Sequence, residues 1–175
     1  MEKRIVRRSA TEISPDLENL PDLLQRVYSH REVTAAAEVS RELVDLIPFT
    51  SMKGIQAAAK RLIVALERQQ RIIIVGDFDA DGATSTALGV RALQAMGAED
   101  VSFLVPNRFK FGYGLSPEIV AVAKEREPDL LITVDNGISS VDGVRAAREA
   151  GIDVIITDHH LSPDALPEDC IIVNP

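Results

Sequence analysis

Five short apolar runs restrict what the second part of this chain can become. Ile72–Val75, residues 101–105, Leu130–Val134, residues 154–157 and Ile171–Val173 are nearly unbroken stretches of apolar side chains. They do not alternate apolar with polar, as a half-exposed strand does, so both faces of each strand must be covered. Between the runs lie stretches of helical spacing near residues 82–96, 117–126 and 139–150. Gly97 and Gly151 stand where two of those helices should end. Repeated strand–helix–strand units imply a parallel sheet with right-handed crossovers. The expected fold class is α/β, a parallel five-stranded sheet flanked by helices and preceded by a helical N-terminal segment.

That lead-in has no strand signal. Leu20, Leu23, Leu24 and Val27 recur at helical spacing. Thr34 is placed to cap a second helix through Asp45, ended by Pro48. A third helix is expected over residues 52–69, with Ile55, Ala59, Leu62, Ile63 and Leu66 on one face. The change of pattern at Arg71 predicts a helical lead-in over 1–70 and an α/β domain over 71–175.

In open α/β sheets, ligands bind beyond the carboxyl ends of the strands. Here the first run is followed by Gly76-Asp77-Phe78-Asp79-Ala80-Asp81-Gly82, the third by Asp135-Asn136-Gly137, and the fourth by Asp158-His159-His160. Three strands thus carry carboxylates or imidazoles to one edge. Asp77, Asp79 and Asp81 would share a side of an extended segment. Packed together they repel and raise one another's pKa, a cost that a divalent cation reverses. A helix N-cap accounts for one of the three, not for all. An EF-hand loop does not fit, because position 12 is Leu88 rather than Glu.

Mixed carboxylate and imidazole donors suit Mn²⁺ or related ions better than Ca²⁺. Two ions about 3.5–4 Å apart activate water and stabilise the leaving oxygen of a phosphoester. One carboxylate must bridge them, and Asp135, on the central strand of the three, is the candidate. Arg108 follows the second run, among Phe109, Phe111 and Tyr113. A guanidinium there could grip a phosphate, and the aromatics could stack on bases or simply pack the loop. Asn136 is a further candidate substrate contact. Thr84 and Ser85 are expected to bond within the start of a helix.

Charge splits unevenly. Residues 1–70 carry 11 basic and 10 acidic side chains, residues 71–175 carry 8 and 17. The acidic second part argues against a bare phosphate-binding surface and fits either a solvated acidic surface or a carboxylate site neutralised by metal ions. One cysteine, Cys170, excludes a disulfide framework and a thiolate zinc site. No apolar run is long enough to span a bilayer and no signal peptide is evident, so a soluble cytoplasmic protein without membrane contact is expected.

The ordered set Val75-Gly76-Asp77-Phe78-Asp79-Ala80-Asp81-Gly82, Thr133-Val134-Asp135-Asn136-Gly137 and Thr157-Asp158-His159-His160 resembles the DHH phosphoesterase superfamily. Val105-Pro106-Asn107-Arg108-Phe109 and Gly112-Tyr113-Gly114-Leu115-Ser116 are similar to its RecJ branch of single-stranded-DNA-specific exonucleases. The resemblance implies a Rossmann-like DHH domain. It implies that Asp79, Asp81 and Asp135 ligate metal, with Asp135 bridging, and that His159 ligates the second ion. It makes Asp77 a ligand or a group behind one, His160 a catalytic-centre histidine, and Asp158 the carboxylate that orients the histidines. The implied reaction is 5′ to 3′ hydrolysis of single-stranded DNA with Mn²⁺ or Mg²⁺, releasing 5′-mononucleotides, in recombination and repair. Single-strand-binding protein and repair helicases are implied partners. The resemblance also implies further domains beyond Pro175, so this chain is expected to be an N-terminal portion, weak or inactive alone.

Three other readings compete. Pyrophosphatases and cyclic-dinucleotide phosphodiesterases of the same superfamily usually carry a His in the first motif, where this chain has Val75. A non-catalytic DHH scaffold would have lost ligands, yet every visible ligand position is filled. Receiver-like signalling domains bind Mg²⁺ at strand ends, but they need no paired histidines and require a late lysine not evident here.

Overall fold

The computed structural model describes residues 4–6 and 12–175, except the side chains of residues 108 and 110. The apolar runs form strands β1 (Ile72–Val75), β2 (Val101–Leu104), β3 (Leu130–Val134), β4 (Asp153–Thr157) and β5 (Ile171–Val173). They pair in parallel in the order β2-β1-β3-β4-β5. From β1 the chain crosses to β2 on one side, then to β3 on the other. This reversal opens a crevice above the carboxyl ends of β1 and β3, where α/β sheets bind ligands.

Alternate residues of each strand feed two cores. Ile73, Val75, Leu131, Val154 and Ile156 pack with Leu115, with Ile119 and Ala123 of helix α5 (Pro117–Lys124), and with Val144 and Ala147 of α6 (Val141–Glu149). Ile72, Ile74, Leu130, Ile132 and Ile155 pack with Ala58 and Ala65 of α2 (Ile55–Glu67) and Leu93 of α3 (Ala80–Ala95). With helices on both faces, β1 and β3 are buried along their whole length. The α/β sheet expected from the sequence is the one observed.

The chain divides into two compact units, one up to Ile47 and one from Pro48 to Pro175. α2 belongs to the second, because its alanines sit in the same core as Ile72 and Leu130. Compactness therefore begins before the change of pattern at Arg71. In the first unit, α1 (Asp22–Ser29) forms as expected. The helix expected through Asp45 does not form; two 3-10 turns, Ala36–Val39 and Leu43–Asp45, stand in its place. Glu38 Oε1 accepts the Thr34 and Ala35 N–H groups, and extended Ser40 donates its hydroxyl to Asp45 at 2.5 Å. These local bonds offer the backbone an alternative to a continuous helix. A short helix, α4 (Arg108–Phe111), forms where a loop was expected. Among the described residues, no helix is long and apolar enough to cross a membrane.

At Gly143, α6 closely approaches the backbone that leads into α5. A Cβ there would lie 2.0 Å from the Leu115 carbonyl oxygen. Helix propensity alone favours alanine at this position by about 1 kcal/mol. Packing opposes it, and overpacking typically costs about 1–3 kcal/mol. The obstacle is backbone, so the upper end of that range applies, and Gly143→Ala is expected to lower stability by about 2 kcal/mol in urea unfolding; a gain would show that α6 and the Leu115 backbone separate freely.

Candidate metal centre

Each candidate residue is delivered by the end of a strand. After β1 the backbone turns sharply into α3, and Asp77 is only 7% exposed. Its Oδ1 accepts the Phe78 N–H at 2.7 Å. A Cβ on Gly82 would come 2.6 Å from the Asp77 Cα, so the first turn of α3 rests directly on the Asp77 backbone. Asp79 is the N-cap of α3 and accepts the Gly82 N–H at 3.0 Å. Because the helix begins at Ala80, the extended alternation expected to align three aspartates stops after two. Asp81 lies exposed in the first turn, where the helix dipole favours a carboxylate. Thr84 and Ser85 donate to the carbonyls of Ala80 and Asp81, as expected.

Asp135 follows β3 in a left-handed conformation, φ 63°. Its N–H still bonds the Thr157 carbonyl at 3.0 Å, so the sheet holds it as it leaves the strand. Aspartate tolerates this conformation better than most residues. Asn136, 1% exposed, donates its side-chain amide to the carbonyls of Val75 and Val134. It therefore ties the ends of β1 and β3 together and is not open to a substrate in this structure.

Beyond β4, Asp158 is buried and organises both histidines. Its carboxylate accepts the N–H groups of Ile138 at 2.9 Å, His159 at 2.7 Å and His160 at 3.2 Å. Its Oδ1 also meets His160 Nδ1 at 2.7 Å. Burial works against its charge, but these hydrogen bonds outweigh it and hold the carboxyl below its ordinary value. The bond to Asp158 raises the His160 pKa in turn. His159 Nε2 lies 2.8 Å from Asp135 Oδ1.

Two donor sets result. Asp77, Asp79 and Asp135 offer ligand oxygens within 4.8 Å of one another, and Asp135, His159 and His160 do the same with one oxygen and two nitrogens. Asp135 belongs to both. Burial and the nearby Asp79 raise its pKa, with His159 opposing. This oxygen-rich, partly imidazole set fits a divalent cation such as Mn²⁺. Asp81 stands outside both sets. The Arg108 side chain lies outside the described residues. Sequence spacing did not single out Tyr113 for this cluster, yet its hydroxyl donates to the Asp135 carbonyl at 2.9 Å. Its place between two glycines was the available signal.

A carboxyl held below its ordinary pKa adds stability above its unfolded value, about 3.9, and loses it as pH falls through the folded value. Asp158→Asn is therefore expected to lower stability by about 2 kcal/mol at pH 7, given charge-assisted bonds worth about 1.5–3 kcal/mol. The gap to the parent should narrow as pH drops from 5 toward 3 in urea unfolding. A gap that stays constant with pH would mean Asp158 acts by shape alone.

The DHH family, N-terminal domain, matches residues 71–175. The chain is 49% identical over 174 residues to the "Single-stranded-DNA-specific exonuclease RecJ" of Salmonella typhimurium, covering 99% of this chain and 30% of that protein. It is 49% identical over 171 residues to the Escherichia coli protein of the same name, covering 97% and 30%. A crystal structure of exonuclease RecJ bound to manganese superposes with TM-score 0.67 at 41% identity, over 74% of this chain and 33% of that one. The chain thus spans about 30% of the length of the curated relatives it matches. With its matched residues carrying all five strands and every candidate ligand, the chain belongs to the DHH family.

Proposed function

We propose that this chain carries the metal centre of a single-stranded-DNA exonuclease that works 5′ to 3′ and releases 5′-mononucleotides. The observation that carries this reading is Asp135, shared between two donor sets at the switch point of the sheet. In the proposed site, Asp77, Asp79 and Asp135 hold one ion, and Asp135, His159 and His160 hold the other. The motif adds Asp81 to the β1 side. Two bound divalent cations supply an activated water and a counter-charge for the leaving oxygen of a phosphodiester. The chain's own residues do the rest. Asp158 fixes the backbone and ring of His160, Asn136 locks the two strands that aim the carboxylates, and Arg108 is the proposed phosphate contact.

Mn²⁺ or Mg²⁺ is the proposed resident ion. The likeness to RecJ proteins supports single-stranded DNA as the substrate class, with single-strand-binding protein and repair helicases as proposed partners in the cytoplasm.

Substrate class is tested with a labelled single-stranded oligonucleotide, Mn²⁺, and the chain extended by the portion its relatives carry. Release of 5′-mononucleotides is expected, and Asp135→Ala should abolish it. Turnover of pyrophosphate or a cyclic dinucleotide without cleavage of DNA would overturn the assignment.

Metal binding is tested on the 175-residue chain itself. The raised pKa of Asp135 means that folding disfavours its ionised form. The stability it contributes is complete below about pH 3.9 and is lost as pH rises through the folded value. Asparagine removes that loss and tolerates the left-handed backbone. Metal-free Asp135→Asn should therefore be no less stable than the parent at pH 7. Mn²⁺ at a hundred times its dissociation constant should stabilise the parent by about 2.7 kcal/mol. Differential scanning calorimetry should find that gain absent from the variant.

A further inference from the structure

Gly112 and Gly114 flank Tyr113, both left-handed at φ 77° and 76°. A Cβ on Gly114 would stand only 3.0 Å from Ser140 Oγ. The paired turns carry Tyr113 over the end of β3. There its hydroxyl donates to the Asp135 carbonyl at 2.9 Å and lies 3.5 Å from His160 Nδ1. Its ring meets the His160 ring edge-on, with centroids 5.9 Å apart and planes at 78°. One side chain thus touches a member of the β3 end and a member of the β4 end.

We propose that Tyr113 is a positioning residue of the metal centre: its hydroxyl holds the left-handed Asp135 peptide and its ring packs against that of His160. Both donor sets then keep their spacing before an ion arrives. The inference rests on the metal-centre reading above and goes beyond it by naming what restrains the shared ligand. Left-handed Asp135 sits in a sparsely populated region of backbone space, which persists only where surrounding contacts over-determine it. The Tyr113 hydroxyl is one such contact. A phenol, with an ordinary pKa of about 10, is a hydrogen-bond donor at neutral pH. Base stacking would require the ring alone; positioning requires the hydroxyl.

The test uses Tyr113→Phe, which keeps the ring and removes the donor, and Tyr113→Leu, which removes both. Mn²⁺ is titrated into each by calorimetry, and the bound ion is followed by its electron paramagnetic resonance spectrum. Loss of one hydrogen bond to the ligand's backbone should weaken Mn²⁺ binding by about fivefold in Tyr113→Phe. The resonance lines should broaden as the donor sets lose a fixed geometry. Tyr113→Leu should weaken binding further. A merely structural role would lower the metal-free melting temperature while leaving the affinity and spectrum of the folded protein unchanged, and that result overturns the inference. Parental affinity and spectrum in Tyr113→Phe overturn it as well. Asp135→Asn is run beside them: if it too binds Mn²⁺ like the parent, the metal-centre reading fails, and this inference fails with it.

Discussion

Three carboxylates crowded at one edge of a sheet repel, and the rest of this structure exists against that repulsion. Asp77, Asp79 and Asp135 bring ligand oxygens within 4.8 Å of one another. At such spacing two unit charges oppose each other by about 1 kcal/mol in a water-like medium, and by about 3–4 kcal/mol at an effective dielectric of 20. A flexible loop would relieve this by swinging the groups apart. Here the groups cannot swing freely. β1 and β3 are buried on both faces, and the Asn136 amide bridges their carbonyls. The first turn of α3 rests on Asp77, and the ladder holds Asp135 through Thr157. Rigidity makes the charge concentration persistent, and persistent negative charge is what a divalent cation requires.

The two histidines are prepared differently. Asp158 accepts the backbone N–H of both residues and also meets a ring nitrogen of His160, whereas His159 points its Nε2 at Asp135. Asp158 is buried and its side chain scarcely meets water, while both imidazoles remain about half exposed. The carboxylate is thus held in the interior while the rings stay open to solvent. Outer groups of this kind set ring orientation and raise ligand basicity in metal sites.

The sheet was legible because unbroken Ile, Leu and Val runs satisfy only a strand covered on both faces, and the carboxylates' edge followed from topology. What escaped was set by local backbone geometry. Asp81 was expected beside Asp77 and Asp79, but Asp79 caps α3 and turns the next residues into a helix. Asn136 looked like a polar group available to a ligand, and only the structure shows both its amide hydrogens engaged by carbonyls. The helix expected through Asp45 had the spacing, but Glu38 and Ser40 satisfied the backbone another way. Tyr113 stands 22 residues from Asp135 in sequence, and no periodicity links them.

The salt bridges at the opposite end of the sheet bear on how the protein is made. Asp153, at the start of β4, pairs with Arg61 of α2 at 2.8 Å and with Arg148 of α6. Arg61 and Asp153 are 92 residues apart. During synthesis, α2 emerges long before its partner strand exists. Long-range pairings of this kind close late, after the entropy of a large loop has been overcome. The nascent chain must hold part of α2's apolar face uncovered until β5, the strand it contacts most, arrives. That interval is when exposed apolar surface invites chaperones or aggregation. A synonymous or temperature-dependent slowing of translation between residues 67 and 173 would lengthen it, altering yield without touching any residue of the candidate metal centre.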